Sequence, residues 1–174
     1  MEKTNQLRIA ITGPESTGKS SLAKMLTKHY KMAYIPEYAR FFLRTKQSYT
    51  FEDVTYIAKQ QFDSINYYDS PILIADTELI VTKIWQQYKY QKVDPWIEKH
   101  IKKQHFDIYL LMDIDMEWTF DPLRENPSIS ERKDLLNLYK KELQSQEFNY
   151  ELISGQGKNR LNNALAAIKK YSKK

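Results

Sequence analysis

Gly13-Pro14-Glu15-Ser16-Thr17-Gly18-Lys19-Ser20 matches the pattern G-x-x-x-x-G-K-[ST] at every fixed position. The β-branched run Leu7–Thr12 precedes it. Lys19–Tyr30 follows, with Leu22, Met25 and Leu26 at helical spacing. A strand, a glycine-containing loop and a helix in that order make an anion cradle. Backbone N–H groups wrap a phosphate, and the positive end of the helix faces it. Gly13, Glu15, Ser16, Thr17, Gly18, Lys19, Ser20 and Ser21 are the expected nucleotide-phosphate contacts. Lys19 is expected to reach the terminal phosphates as a point charge, and the Ser20 hydroxyl to ligate Mg²⁺.

Outward from this motif, strand-like and helix-like runs alternate, the pattern of a parallel α/β sheet. Strands are expected at Leu7–Thr12, Met32–Ile35, Ile72–Ala75, Ile108–Met112 and Tyr150–Ile153. Helices are expected at Lys19–Tyr30, from Thr50 to Asn66, over Leu79–Tyr88, after Pro95, over Glu131–Gln144 and over Asn159–Tyr171, with a helical turn in Glu37–Arg44. Right-handed crossovers then place helices on both faces. The expected fold is a three-layer α/β/α P-loop NTPase with a five-stranded parallel sheet and a lid segment at about 115–132, all within one kinase domain spanning 1–174. Gly155-Gln156-Gly157-Lys158 lacks the full phosphate-loop spacing and reads as a turn, with a backbone contact to the nucleotide base as its functional alternative.

Composition narrows the field. The absence of cysteine removes disulfides and thiolate metal sites. His100 and His105 are five apart, which is not the zinc spacing of a helical His pair. No apolar run approaches the ~20 residues of a membrane span, and no signal peptide is visible, so the expected compartment is the cytoplasm. The net charge of +5 suits anionic ligands, but Lys169, Lys170, Lys173 and Lys174 supply much of it as a solvated helix end. The expected partner is a small molecule, not a nucleic acid or a membrane. A monomer or small homo-oligomer is expected.

A phosphate loop needs a carboxylate at the end of an adjacent strand. Ile72–Ala75 ends at Asp76, and Ile108–Met112 ends at Asp113. Asp76 is preferred as Mg²⁺ partner or base, because the third expected strand should lie beside the first and the fourth on its other side. Glu37, Tyr38 and Arg40 follow the second expected strand, where Glu37 suits sugar hydroxyls, Tyr38 a flat ring and Arg40 an anion. A helix start is the plainer account of those three. Trp118, Asp121, Arg124 and Arg132 lie in the polar lid segment. Arg124 there suits the transferring phosphoryl group, the alternative being a surface ion pair. Trp85 is expected in the core and Trp96 between helices.

Gly13–Ser20, Glu37-Tyr38-Ala39-Arg40, Ile74-Ala75-Asp76-Thr77 leading to Thr82, and Trp118 with Asp121-Pro122-Leu123-Arg124 together resemble the ribosylnicotinamide kinase domain of NadR-type bacterial proteins. The resemblance runs in the same order over nearly the whole chain. It implies phosphorylation of nicotinamide riboside to nicotinamide mononucleotide by ATP with Mg²⁺. Lys19 and Ser20 would then hold the triphosphate and metal, Asp76 would lie by the ribose 5′-hydroxyl, Glu37 and Tyr38 would line the acceptor pocket, and Arg124 would be a lid arginine. The cationic ring of that acceptor suits an aromatic face such as Tyr38 or Trp118. The bifunctional relatives carry an adenylyltransferase domain ahead of the kinase, and no such activity is expected of these residues. Pro122 stands where relatives can carry glycine. The other readings are a kinase for a different small acceptor, and a nucleotide-dependent regulatory ATPase with slow, acceptor-independent hydrolysis.

Overall fold

The strand Leu7–Thr12 (β1) sits inside a parallel four-stranded sheet in the computed structural model, which describes residues 6–172. Ile72–Asp76 (β2) pairs on one side of it, with Ile11 opposite Asp76. Ile108–Met112 (β3) pairs on the other, and Tyr150–Ile153 (β4) pairs with β3. The order is β2-β1-β3-β4, so the strand carrying Asp76 lies beside β1 as the sequence suggests.

The period-2 alternation of β1 builds the layers. Ile9 and Ile11 point to one face, where they pack with Leu22 and Leu26 of Lys19–Tyr30 (α1) and Ala164 and Ile168 of Gly157–Tyr171 (α7). Ala10 points to the other face, against Ile80 and Ile84 of Leu79–Tyr90 and Leu135 and Tyr139 of Ile129–Ser145. Residues apolar on both faces are what a parallel sheet covered by helices requires. Burying side chains such as Ile9, Ile11 and Leu22 contributes roughly 1.5–3 kcal/mol each.

Four further helices are Tyr38–Leu43 (α2), Phe51–Tyr67 (α3), Leu79–Tyr90 (α4) and Pro95–Ile101 (α5); Ile129–Ser145 is α6. Thr50 caps α3 in a reciprocal box with Asp53, and Asp94 with Pro95 starts α5. Ser128 caps α6, so that helix begins earlier than the expected Glu131. Trp96 stacks on His100 at 4.1 Å and meets Phe62 of α3 edge-on at 5.5 Å, the interhelical position expected of it.

One expectation fails. Met32–Ile35 is not a strand, and the sheet has four strands where five were expected. Only Ile35 pairs, as an isolated bridge to Ala75: its N–H donates to Ile74 O at 2.8 Å and its carbonyl accepts from Asp76 N at 2.9 Å. Lys31 takes a left-handed conformation at the end of α1, and Pro36 has no N–H to donate, so the run has no room to extend a ladder. That single bridge still fixes the edge from which Glu37 and Tyr38 depart.

Candidate active site

The phosphate loop leaves the C-terminal end of β1 between buried surfaces. Gly13 has φ 127°, and a Cβ there would lie 3.1 Å from the backbone N and O of Met112. Only glycine lets the loop pass so close to β3. Gly18 enters α1 at φ 79°, with the Met116 Sδ 3.1 Å from where a Cβ would be. Thr17 is fully buried, and its hydroxyl donates to Pro14 O at 2.7 Å.

Lys19 folds back on its own loop, donating to Gly13 O at 2.9 Å and Pro14 O at 2.7 Å. Burial lowers its pKa, while Glu37, Asp76 and Glu15 oppose the shift. Asp76, at the end of β2, is 2% exposed, and its Oδ1 has no hydrogen-bond partner. Burial and the nearby charge of Glu37 push its pKa up to about 6, against the pull of the Ser20 hydroxyl and Lys19. A buried carboxylate oxygen left without a partner, beside a hydroxyl, is an all-oxygen donor set suited to a hard cation such as Mg²⁺. Among the described residues no cluster of three or more metal-ligating side chains occurs, so such an ion would draw most of its ligands from phosphates and water. Asp113 spends its Oδ1 on the N–H of Ile114 at 2.8 Å, a local structural contact.

A cavity of about 1050 Å³ opens from the phosphate loop. Ser20 and the exposed Ser21 line it at the loop end, and α2 contributes Tyr38 and Arg40 beside Glu37. Gln61 orients that corner by accepting from Tyr38 N at 2.8 Å. Tyr38 itself packs among Phe41, Phe42 and Tyr56. Arg40 is engaged on both sides, with Glu37 at 3.0 Å and Asp121 at 2.9 Å. Trp85, expected in the core, packs against the cluster of Ala39, Leu43 and Ile57 and also forms part of the cavity wall, and its indole N–H donates to the Tyr49 hydroxyl at 2.9 Å. That hydroxyl donates to Glu125 at 2.7 Å and accepts from Lys89 at 2.7 Å. The volume exceeds what one small ligand occupies, leaving room for phosphates and an acceptor together.

The segment expected as a lid contacts the phosphate loop through Glu15 and Ser16. Arg124 is half-buried, with its guanidinium on the Ser16 hydroxyl at 3.3 Å and on Thr119. Trp118 is absent from the cavity wall: its indole N–H donates to Glu15 at 3.2 Å. Glu15 also accepts from the backbone N–H of Glu125 at 3.0 Å and of Asn126 at 2.6 Å. Arg132, 2% exposed at the start of α6, donates to Ser16 O at 3.3 Å and Met116 O at 3.1 Å. Arg160, equally buried on α7, reaches Thr17 O, Gly155 O and Asp115. Gly155 and Gln156 bend the chain after β4, and Gly157 and Lys158, expected in the same turn, are the first two residues of α7.

Glu78 escaped the sequence reading. It is fully buried, caps α4 through Ile80 N at 2.7 Å, and accepts from the Thr12 hydroxyl at 2.8 Å, directly below the loop. Burial raises its pKa to about 7 against those hydrogen bonds. Its signal was present: Glu78 follows Asp76 and Thr77 just before an apolar helix. Tyr49, Trp85 and Lys89 carried no motif.

The chain is 25% identical to the trifunctional NAD biosynthesis/regulator protein NadR of Escherichia coli (strain K12), over 138 aligned positions covering 75% of this chain. NadR of Salmonella typhimurium (strain LT2) is 26% identical over the same share. The chain spans 34% of the length of either relative. A solved structure of NadR in complex with NR superimposes with a TM-score of 0.81 at 17% identity, covering 98% of this chain and 52% of that one. Thymidylate kinase from Ehrlichia chaffeensis superimposes with a TM-score of 0.63 at 16% identity, covering 95% and 98%. These structures share the P-loop kinase-like fold. The AAA domain family matches residues 8–160, the span from β1 through Arg160 that carries the phosphate loop, Asp76 and the lid, and the chain belongs to that family.

Proposed function

We propose that this chain is an ATP-dependent small-molecule kinase whose acceptor is nicotinamide riboside. The observation that carries the reading is one cavity lined by the phosphate loop, by Asp76 with its unpartnered Oδ1, and by the aromatic rings of Tyr38 and Trp85. The similarity to NadR, and the NR-bound structure of that protein, support this acceptor.

In this mechanism Lys19 leaves the Gly13 and Pro14 carbonyls and takes up a terminal phosphate oxygen. The loop N–H groups and the N-terminus of α1 hold the remaining charge. Asp76 faces the acceptor hydroxyl. With a pKa near 6 it is mostly ionised at neutral pH, yet basic enough to accept the proton released as the hydroxyl attacks. Ser20 would hold Mg²⁺, which when bound neutralises charge on the phosphate oxygens; Asp76 as a second ligand of that ion is the alternative to Asp76 as base. Arg124 swings from Ser16 to the transferring group, and the closed segment excludes water. Tyr38 and Trp85 offer ring faces to a cationic pyridinium.

The test is ADP release from Mg·ATP with and without nicotinamide riboside, alongside a panel of nucleosides and Lys19→Ala. Stimulation by the riboside, lost in Lys19→Ala, is expected. Stimulation by a different nucleoside alone would replace the acceptor and keep the kinase. Slow hydrolysis indifferent to every acceptor would favour a regulatory ATPase.

A further inference from the structure

Glu15 is an odd residue for its place. It sits in a loop whose work is to bind anions, and a carboxylate there repels the ligand. Its side chain is nevertheless half-buried and fully engaged. Oε1 accepts from the Trp118 indole at 3.2 Å and from Asn126 N at 2.6 Å, and Oε2 accepts from Glu125 N at 3.0 Å. All three donors belong to the lid segment, more than 100 positions away in sequence. The adjacent Ser16 hydroxyl takes Thr119 N at 3.1 Å and the Arg124 guanidinium at 3.3 Å. Two consecutive side chains of the phosphate loop thus grip both limbs of the lid, with Arg124 between them.

We propose that Glu15 is a positioning residue that clasps the lid to the phosphate loop, and so sets Arg124 over the transferring group and keeps water out. Hydrogen bonds from N–H groups to a carboxylate are charge-assisted and about twice as strong as neutral ones. They also satisfy the Glu125 and Asn126 N–H groups, which flank a proline-interrupted stretch with no helix or sheet partner of its own. The negative charge is therefore spent on the lid. An arriving triphosphate meets a loop already joined to its cover.

The activity arm of the test rests on the kinase reading; the exchange arm does not. Hydrogen–deuterium exchange on the full chain reads the amides of residues 118–126 in wild type, Glu15→Ala, Glu15→Gln and Trp118→Phe. Exchange in that segment is expected to rise at least tenfold in Glu15→Ala and less in Glu15→Gln, which keeps one acceptor oxygen. It should rise least in Trp118→Phe, and the sheet should remain protected in all of them. With Mg·ATP and the acceptor, Glu15→Ala should lose about tenfold in kcat for transfer while the acceptor KM changes little. Its ratio of ADP released to product formed should rise severalfold, because an unclasped lid admits water. Unchanged exchange in Glu15→Ala overturns the clasp. Faster exchange with an unchanged ratio of ADP to product overturns the positioning role. If Glu15→Ala does not fold, Glu15→Gln and Trp118→Phe decide by the same two readouts. If the wild type phosphorylates no acceptor, the kinase reading falls and exchange alone decides the clasp.

Discussion

The hydroxyl of Thr12 donates to the carboxylate of Glu78 at 2.8 Å, joining the last residue of β1 to the cap of α4 underneath the phosphate loop. Gln104 joins the same group, donating to Glu78 at 3.4 Å and accepting from Leu79 N at 3.4 Å. One fully buried acid therefore ties the end of the strand that carries the loop to the start of α4, two residues beyond Asp76.

That acid makes stability depend on pH. Its folded pKa is raised from 4.5 to about 7, so between those values the folded state binds more protons than the unfolded state. Stability is greatest below about pH 4.5 on this group's account and is lost as pH rises through about 7. The shift corresponds to roughly 3 kcal/mol at most. Glu78→Gln, which keeps the shape without the charge, should lose that decline. Urea unfolding of wild type and Glu78→Gln at pH 5 and pH 8 measures it, and parallel pH trends in the two proteins would remove Glu78 as the cause.

Asp76 should govern the acid side of activity. Its pKa of about 6 predicts that kcat/KM falls about tenfold for each unit below pH 6. Asp76→Asn should lower turnover by about 10²–10⁴-fold and abolish that limb. Asp113→Asn, whose carboxylate holds only the Ile114 N–H, should be nearly silent. The opposite order would move the catalytic carboxylate to the other side of β1.

Lys19→Ala should cost about 10²-fold or more in kcat, the range found when a donor to developing charge is removed. The half-buried ammonium contacts only its own loop, so the circular dichroism spectrum should not change. Full activity in this variant would end the phosphate-loop mechanism.

Arg124→Ala should reduce kcat with little effect on melting temperature, because its contacts are confined to Ser16 and Thr119. Steady-state kinetics beside a thermal melt separates the two effects. A normal kcat would make Arg124 a surface residue.

The acceptor wall is tested by Trp85→Leu and Tyr38→Leu. Each should raise the riboside KM by about 3- to 30-fold, the range of one cation–π contact. Trp118→Leu should instead affect kcat, since Trp118 touches Glu15 and lies off the cavity wall. Equal KM values in all three variants would leave the ring without an aromatic seat.

Much was legible where chemistry is local. The helix limits of α1 follow from Gly18 and the periodic Leu22 and Leu26, and α3 begins where Thr50 and Asp53 can cap each other. Asp76 was readable as the polar end of an apolar strand. Met32–Ile35 misled because its composition suits a strand, while strand formation needs a ladder that Lys31 and Pro36 together prevent.

The sequence by itself determined the phosphate loop with its flanking strand and helix, because each depends on residues within hydrogen-bonding or helical reach along the chain; it offered Asp76 and Asp113 as carboxylates, and strand pairing set them on opposite sides of β1. Only the tertiary structure decided that Glu15 meets Trp118, Glu125 and Asn126, that Trp85 rather than Trp118 walls the cavity, and that Glu78 ties β1 to α4 under the loop. Those contacts join residues 66 to 111 positions apart or set which face of a helix meets an empty space, and no local pattern encodes either.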